Sequence, residues 1–243
     1  MTTGPKDVCT MLPWDSAFFK RRIAIVNGQR ETLARLQEAT LWAAEHLVDC
    51  LYYQVDPQCD YAARDAERAG FSLVDVRLTL ERSGLDVAST IYGTRLATAD
   101  DLPRLRAIAS QSHRDTRFYF DEHLRPASDS LYVTWIERSV VEGFADAVLV
   151  VDGSDGPVGY VTCRLLGEAG ASIGLLGIAA EARGQGTGTQ LLTAALGWLG
   201  RRGASRVSVV TQARNLAAQR LYQRQGFLAS DVKLWYHAWP LSK

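Results

Sequence analysis

The chain has 243 residues and a balanced charge, with 27 Lys and Arg against 27 Asp and Glu. A protein that binds nucleic acid by neutralising phosphates needs a basic excess or a dense basic patch, so this balance argues against that class. The length is enough for one large domain or two small ones, and the apolar fraction of 47% is ordinary for a globular protein.

The first 85 residues are predicted to alternate between strands and helices. Helices are predicted at 31–46, where apolar residues recur at helical spacing, and at 61–69, which Gly70 ends. Strands are predicted at 22–26, 51–55 and 72–80, the last from its alternating pattern. The polar run 83–89 indicates a junction between an N-terminal α/β unit, residues 1–85, and a second domain, residues 90–243.

The second domain is predicted to open with a strand at 90–96 and a helix that begins near Thr98, with Pro103 in its first turn. The run 112–130 is rich in charged and aromatic side chains but shows no clear periodicity. The remaining predicted elements are a helix at 131–141, a hairpin of strands 147–152 and 158–164, strand 171–179, helix 189–202, strand 206–211, helix 216–225 and strand 233–239.

One segment of the first unit has a counterpart in the second. Residues 63–80 and 218–239 each contain a short helix, a Gly-Phe pair and a strand. Such self-similarity suggests two related α/β units. The first copy has no glycine-rich loop, and Ala66 stands where Tyr222 stands in the second. We therefore expect a degenerate copy that packs against or frames the second, with chance similarity as the alternative.

No segment predicts export, membrane insertion or a metal site. The start lacks the apolar core of a signal peptide, and no apolar run approaches the ~18 residues of a membrane span. The four cysteines form no CxxC pair and the four histidines form no HExxH motif. We therefore expect a cytoplasmic protein with reduced thiols, no metal, and no nucleic-acid or membrane partner.

A glycine-rich loop stands between the predicted strand 171–179 and the helix after it. Its residues are Arg183, Gly184, Gln185, Gly186, Thr187, Gly188 and Thr189. Glycines let a ligand approach the backbone closely, and the N–H groups at a helix start favour an anion such as a pyrophosphate. Arg183 could add charge-assisted hydrogen bonds. A tight turn with a solvated arginine is the alternative without a ligand.

Other motifs with glycines fit this region poorly. A Walker loop requires a lysine that is missing here, and a dinucleotide fingerprint requires GxGxxG and an acid about 20 positions further on. The loop has GxGxG, and no acid lies near Ser208. Residues 170–174 match the GxSxG pattern of serine hydrolases. However, Ser172 opens a predicted strand, whereas a nucleophile elbow stands between a strand and a helix.

The loop and the residues after it resemble the GCN5-related N-acetyltransferases (GNAT). Residues 183–188 match the family's (Q/R)-x-x-G-x-(G/A) motif, and residues 215–227 match its N-x-x-A-x-x-x-Y-x-x-x-G-F pattern. The matching motifs cover residues 147–239. The resemblance implies an α/β (α+β) GNAT fold with a splayed mixed sheet, preceded by the smaller degenerate α/β N-terminal unit.

The resemblance implies direct transfer of an acetyl group from acetyl-CoA to a neutral amine in a ternary complex, with no metal. In this family the pantetheine arm pairs with the exposed backbone edge of the strand before the loop, here Leu176, Gly177, Ile178 and Ala179. A backbone N–H there could polarise the thioester carbonyl. The loop, Arg183 to Thr189, would hold the pyrophosphate. Asn215 would contact the cofactor or a bridging water, or act only as a helix N-cap.

Tyr222 is the predicted general acid. A phenol with a pKa near ~10 can protonate a departing thiolate whose conjugate acid has a pKa near ~8.5. The alternative is a core aromatic whose hydroxyl is bonded to the backbone. No general base is assigned, because the candidates Glu168, Asp121, Glu122 and His113 compete with loss of the amine proton to water.

Segments outside these motifs resemble a branch of the family that acetylates a dTDP-linked amino-dideoxy sugar: residues 12–19, 116–119 and 131–136. The implied partner is a small-molecule aminosugar nucleotide, with Arg117, Phe118 and Tyr119 as preferred contacts, because arginines suit a diphosphate and aromatics a base. Another aminosugar, an aminoglycoside, a protein N-terminus and a non-catalytic acyl-CoA sensor are the alternatives. A homodimer is expected by resemblance only.

Overall fold

A computed structural model describes residues 7–85 and 93–241. One compact unit runs through Arg77 and resumes at Val232, and the other extends from Leu78 to Asp231. The strands of the described residues are β1 (Cys9–Met11), β2 (Ile23–Val26), β3 (Cys50–Val55), β4 (Ser72–Ser83), β5 (Thr94–Leu96), β6 (Ala147–Gly153), β7 (Gly156–Leu166), β8 (Gly170–Ile178), β9 (Arg206–Gln212) and β10 (Leu228–Ala238). The helices are α1 (Pro13–Phe19), α2 (Leu33–Glu45), α3 (Ala62–Arg68), α4 (Leu102–Gln111), α5 (Arg117–Phe120), α6 (Arg125–Val141), α7 (Thr187–Gly200) and α8 (Leu216–Arg224).

The first unit is built around a parallel strand pair. β2 and β3 lie side by side and are joined through α2, whose start is capped by the Thr32 hydroxyl. β1 pairs with β2, and the end of β10 pairs with β3, both antiparallel. Leu36 of α2, Tyr53 of β3 and Tyr236 of β10 are all buried in one apolar core. This unit therefore takes its last strand from the C-terminal end of the chain.

The second unit contains a mixed sheet with neighbouring strands in the order β9-β8-β7-β6-β5. The β8–β9 pair is parallel, and the other pairs in this order are antiparallel. Helix α7 buries Leu191, Leu192 and Leu199 against one face, which includes Val161 and Val207. Side chains alternate along β7, so Tyr160 and Thr162 point to the other face. That face is covered by α4 and α6.

A β-bulge changes the direction of β8 halfway along its length. Val161 of β7 stands opposite Leu176, but Cys163 stands opposite Ile173, so two residues of β8 face the single Thr162. The N–H group of the extra residue, Leu175, donates to Thr162 Oγ1 at 2.7 Å. Pairing of β8 with β9 stops immediately before the bulge, at Ile173 and Val209. Among the described residues, no strand therefore pairs with the last part of β8 on its β9 side.

The structure confirms the mixed α/β class and most predicted elements, with three differences. Helix α6 begins at Arg125, six residues before the predicted start, because Pro126 is well suited to a first helical turn. Strand β10 begins at Leu228, before its predicted start at 233, and β1, α1 and α5 were not predicted. Of the predicted strand 90–96 only β5 can be compared, since residues 86–92 lie outside the described part, as does most of the predicted junction 83–89. None of the described helices is both long and apolar enough to cross a membrane.

The two Gly-Phe segments adopt the same local structure. Gly70 and Gly226 follow α3 and α8 with φ of 86° and 78°, in the left-handed region that glycine tolerates. Each is followed by a buried phenylalanine, Phe71 or Phe227. The N–H of Phe71 donates to the carbonyl of Ala66 at 3.0 Å, and that of Phe227 donates to the carbonyl of Tyr222 at 3.1 Å. This shared hydrogen bond supports an internal repeat, which we keep as a proposal.

Candidate active site

The glycine-rich loop presents an open backbone surface. Gly184 and Gly186 have φ of 73° and 87°, where other residues are strained. A Cβ atom added to either residue would meet no other atom within 4 Å. The positive φ therefore explains the glycines here, and the space above them is available to a ligand.

Side chains of the loop are fixed to the backbone that precedes it. Thr187 Oγ1 donates to the carbonyl of Ala182 at 3.1 Å, and Gln185 Nε2 donates to the carbonyl of Glu181 at 2.7 Å. Arg183 Nε donates to the carbonyl of Ile178 at 3.1 Å, which uses one of the five donors of its guanidinium group.

The loop leads directly into α7, which begins at Thr187 with Gly186 as its N-cap. The first backbone N–H groups of a helix have no partner within it, and the helix dipole places partial positive charge there. In α7 these groups belong to Thr187, Gly188 and Thr189. The loop and this first turn form a site suited to a phosphate anion.

The unpaired end of β8 offers a second set of backbone groups beside the loop. The N–H of Ala179 donates to the carbonyl of Val158 on β7 at 2.9 Å, and Gly177 stands opposite Tyr160 of the same strand. Because residues of an antiparallel ladder alternate in the direction of their polar groups, Leu176 and Ile178 point theirs to the opposite side. That side is the one from which β9 has diverged.

Tyr222 lies in the core cluster that borders this open edge. It is buried together with Val209 of β9, and Leu176 and Ile178 of β8 pack against the same cluster. Burial raises the pKa of Tyr222 above its ordinary value, with no charged neighbour contributing. The phenol therefore stays protonated near neutral pH, and the same burial makes it a weaker acid than a tyrosine in water.

The N-terminus of α8 is held in place by two polar side chains. The side-chain oxygen of Asn215 accepts a hydrogen bond from the N–H of Ala218 at 3.0 Å, so Asn215 is an N-cap. Gln219 Nε2 donates to the carbonyls of Gln212 and Ala213 at 3.1 and 2.8 Å, which ties the helix to the end of β9.

Gly188 is where α7, α8 and β8 meet. A Cβ atom on this residue would lie 3.0 Å from Ile178 Cδ1 and 3.1 Å from Leu221 Cδ2. Only a residue without a side chain permits so close an approach of the three elements. The helix that carries Tyr222 is thereby packed against the start of α7 and the open end of β8.

The predicted substrate contacts lie on α5, but in different environments. Phe118 is buried, with the Arg117 guanidinium carbon 4.1 Å from its ring centroid. The ring of Tyr119 is partly exposed and has the guanidinium carbon of Arg125 5.3 Å from its centroid. Phe118 therefore contributes to the packing of the protein interior, while the partly exposed ring of Tyr119 is accessible to a ligand.

Sequence reasoning missed the most exposed part of this surface. Phe120 is 47% exposed, and the guanidinium carbon of Arg214 lies 3.7 Å from its ring centroid. Arg214 directly precedes the N-cap Asn215. This contact joins α5 to the turn between β9 and α8. No sequence pattern links positions that are 94 residues apart, so only the fold could reveal the pair.

The four candidate bases occupy different places. Glu168 lies in the turn between β7 and β8, at the opposite end of β8 from the open edge. The Glu122 side chain is 84% exposed. Asp121 is buried and accepts a hydrogen bond from the N–H of His123 at 2.9 Å. His113 Nε2 lies 3.1 Å from the hydroxyl of Tyr160.

Ser172 lies within β8, opposite Arg164 of β7 and Ser208 of β9. A nucleophile elbow needs the serine between a strand and a helix, and this serine is paired on both sides within a sheet. The GxSxG match therefore has no catalytic geometry.

Comparisons with known proteins agree with this geometry. The model of the acetyltransferase (GNAT) family matches residues 105–227. A dTDP-fucosamine acetyltransferase of Escherichia coli O6:H1 is 31% identical over 229 residues, which cover 93% of this chain and 96% of that enzyme.

Solved structures share the fold. A GCN5-related N-acetyltransferase from Sphaerobacter thermophilus has a TM-score of 0.66 at 17% identity, over 96% of this chain and 76% of that one. A tandem GNAT protein from the clavulanic acid biosynthesis pathway has a TM-score of 0.60 at 15% identity, over 91% of this chain and 76% of that one. GNAT acetyltransferases use acetyl-CoA. The chain belongs to the acetyltransferase (GNAT) family and is an acyl-CoA-dependent N-acetyltransferase.

Proposed function

We propose that the enzyme transfers an acetyl group from acetyl-CoA to the amino group of a dTDP-linked amino-dideoxy sugar. The proposal of acyl transfer rests on the open end of β8. This segment comes before the glycine-rich loop in the chain, and its side chains pack against the core cluster that contains Tyr222. The acceptor is proposed from the relative that shares 31% identity over 93% of this chain.

The residues of the loop and of β8 suit acetyl-CoA. Gly184 and Gly186 leave space above the loop, and the first turn of α7 supplies N–H donors for the pyrophosphate. The N–H groups of Leu176 and Ile178 and the carbonyl of Leu176 would pair with the pantetheine arm, while the carbonyl of Ile178 accepts from Arg183. Gly177 and Ala179 contribute to the same segment by holding it against β7, and Asn215 positions α8 beside it.

The chemistry follows from this arrangement. The neutral amine attacks the thioester carbonyl carbon, a C–N bond forms, and the C–S bond breaks. The N–H group of Leu176 or Ile178 stabilises the negative charge that develops on the carbonyl oxygen. Tyr222 transfers its proton to the departing sulfur. No residue is assigned as the general base: the amine loses its proton to water, and a proton from water restores the phenol of Tyr222.

The acceptor surface is proposed on α5 and the turn before α8. Tyr119 and Phe120 provide ring faces for a base, and their centroids lie 5.8 Å apart. Arg125 and Arg214 stand over these rings and could bind a diphosphate through bidentate hydrogen bonds. Arg117 lies on the same short helix as Tyr119, and Phe118 supports the helix from below.

The test is release of CoA thiol from acetyl-CoA with a panel of acceptors: dTDP-linked and UDP-linked amino sugars, an aminoglycoside and a peptide with a free N-terminus. We expect the highest kcat/KM with a dTDP-linked amino sugar. Turnover only on the aminoglycoside or the peptide would contradict the proposed acceptor. Tight acetyl-CoA binding without turnover on any amine would favour an acyl-CoA sensor.

We also propose a cytoplasmic location and a homodimer. All four cysteines are free, which suits a reducing compartment. The homodimer is inferred from the family resemblance alone. Light scattering of the purified chain tests it by measuring the molar mass in solution.

A further inference from the structure

His113 has a left-handed backbone conformation. Its φ is 60°, in a region that few residues other than glycine adopt, although histidine is among the types found there more often. Its ring stacks on Tyr132 of α6, with centroids 4.5 Å apart and an interplanar angle of 22°. The surroundings hold a residue in such a sparsely populated conformation, and these positions cluster at functional sites.

The ring of His113 forms a hydrogen bond with the hydroxyl of a fully buried tyrosine, Tyr160. His113 Nε2 lies 3.1 Å from Tyr160 Oη, on the face of the sheet that α4 and α6 cover. Removal from water lowers the pKa of His113 to about 4, and burial raises the pKa of Tyr160. Both side chains are therefore uncharged near neutral pH, and the hydrogen bond between them needs no counter-ion.

The ring of Tyr160 is packed directly against Gly177 of β8. A Cβ atom on Gly177 would lie 2.6 Å from Tyr160 Cε1 and 2.8 Å from its hydroxyl oxygen. These distances leave no room for a side chain, so the ring contacts the backbone itself. Gly177 lies between Leu176 and Ile178, whose polar groups face the side that β9 has left.

We infer that His113 and Tyr160 are positioning residues for acyl transfer, which fix the backbone of Gly177 and thereby the N–H groups of Leu176 and Ile178. The inference rests on the proposed use of these N–H groups toward the thioester. Beyond the bulge this part of β8 lacks the pairing that β9 would give. Arg183 and the contact at Gly188 hold it at Ile178, and on the other face β7 and the Tyr160 ring support it. A small displacement of a preorganised donor weakens its effect on the transition state.

The test compares Tyr160→Phe, His113→Asn and the double variant with the unaltered enzyme. Tyr160→Phe keeps the ring and removes the hydroxyl. Asparagine tolerates positive φ better than most residues but is too short to reach Tyr160. We expect each single variant to lower kcat about tenfold, the effect of losing one well-placed hydrogen bond. The double variant should lose no more than the worse single variant, because both remove the same contact.

Three controls separate positioning from general stability. Thermal unfolding shows that each variant is folded at the assay temperature, and calorimetry with CoA should give a dissociation constant within about threefold of the unaltered enzyme. Ser110→Ala on nearby α4, which removes an exposed hydroxyl, should leave kcat unchanged.

A kcat equal to that of the unaltered enzyme in Tyr160→Phe would overturn the inference, as would fully additive losses in the double variant. If the unaltered enzyme acetylates no amine, the proposed function fails, and that result is seen before any variant is compared.

Discussion

At the scale of single residues, the environment of Tyr222 is what gives it a catalytic interpretation. A core tyrosine normally bonds its hydroxyl to a neighbouring group. Here burial alone raises its pKa, and the ring lies in the cluster that borders the splayed strands. The side chain is therefore a protonated phenol in the cluster that packs against the end of β8, where β8 is paired with β7 but, within the described sheet, not with β9.

We predict that Tyr222→Phe lowers kcat by about 10² to 10⁴, the usual contribution of a general acid. The expected dissociation constant for acetyl-CoA, measured by calorimetry, is unchanged, because the ring and its packing remain. The matched control is Tyr236→Phe in the first unit, whose hydroxyl bonds Glu67 at 3.3 Å. Full activity of Tyr222→Phe would remove this residue from the mechanism.

A second prediction concerns the acceptor surface. Arg214→Gln should raise the KM for a dTDP-linked amino sugar by about 10- to 100-fold, since a charge-assisted hydrogen bond contributes about 1.5–3 kcal/mol. The KM for acetyl-CoA should change little. Arg224→Gln, which alters an exposed arginine at the other end of α8, is the control. Equal effects of the two variants would argue that Arg214 acts only through net charge.

At the scale of elements, the bulge in β8 determines where the site can form. Gly174 allows the close approach of Thr162, since a Cβ atom there would lie 2.8 Å from Thr162 Oγ1. The hydroxyl then replaces the ladder hydrogen bond that Leu175 loses. The strand can leave β9 at Ile173 without a buried, unpaired N–H group at the bulge.

We predict that Thr162→Val destabilises the enzyme by about 1–3 kcal/mol, because it leaves the N–H of Leu175 buried without an acceptor. Thr162→Ser keeps the hydroxyl and should cost less. Chemical denaturation of both variants measures the difference in free energy of unfolding. If valine and serine destabilise the enzyme equally, the hydroxyl has no special role at the bulge.

The glycine loop allows a test that separates strain from binding. Gly186→Ala and Gly203→Ala both introduce a methyl group at φ of 87°, where the added Cβ meets nothing within 4 Å. Both should lose about 1–2 kcal/mol of stability. Only Gly186→Ala should weaken acetyl-CoA binding in calorimetry, because its methyl group enters the space beside the first turn of α7. Equal affinities would mean that this loop does not hold the cofactor.

The sequence predicted the loop and Tyr222 because their spacing is local: a strand, a glycine run, a helix start and a capped second helix follow one another. It also predicted Arg117, Phe118 and Tyr119 as substrate contacts, but it could not predict that Arg214 joins them or that Tyr160 supports β8. Phe120 contacts Arg214, and His113 contacts Tyr160, only because the fold brings distant segments together. The bulge could not be predicted either, because one extra residue in an apolar strand leaves the strand apolar and so gives no signal in the sequence.

At the scale of the whole molecule, the two compact units share local backbone structure but differ in the residues proposed for acyl transfer. Each has a parallel pair of strands joined through a helix, β2 with β3 and β8 with β9. Each has a helix followed by a Gly-Phe turn with the same capping hydrogen bond. The first unit has Ala66 in place of Tyr222 and lacks the glycine-rich loop. We therefore propose that acyl transfer takes place in the second unit alone.

The destination of the acetyl group tests the central claim most directly. The enzyme is incubated with acetyl-CoA labelled with ¹³C at the acetyl carbonyl carbon and with a dTDP-linked amino-dideoxy sugar labelled with ¹⁵N at its amino group, and the product is followed by NMR. We predict an amide carbonyl coupled to the nitrogen of the sugar, formed one-for-one with free CoA. Label found only in acetate, in an ester of a sugar hydroxyl, or still in the thioester would contradict N-acetyl transfer to this acceptor.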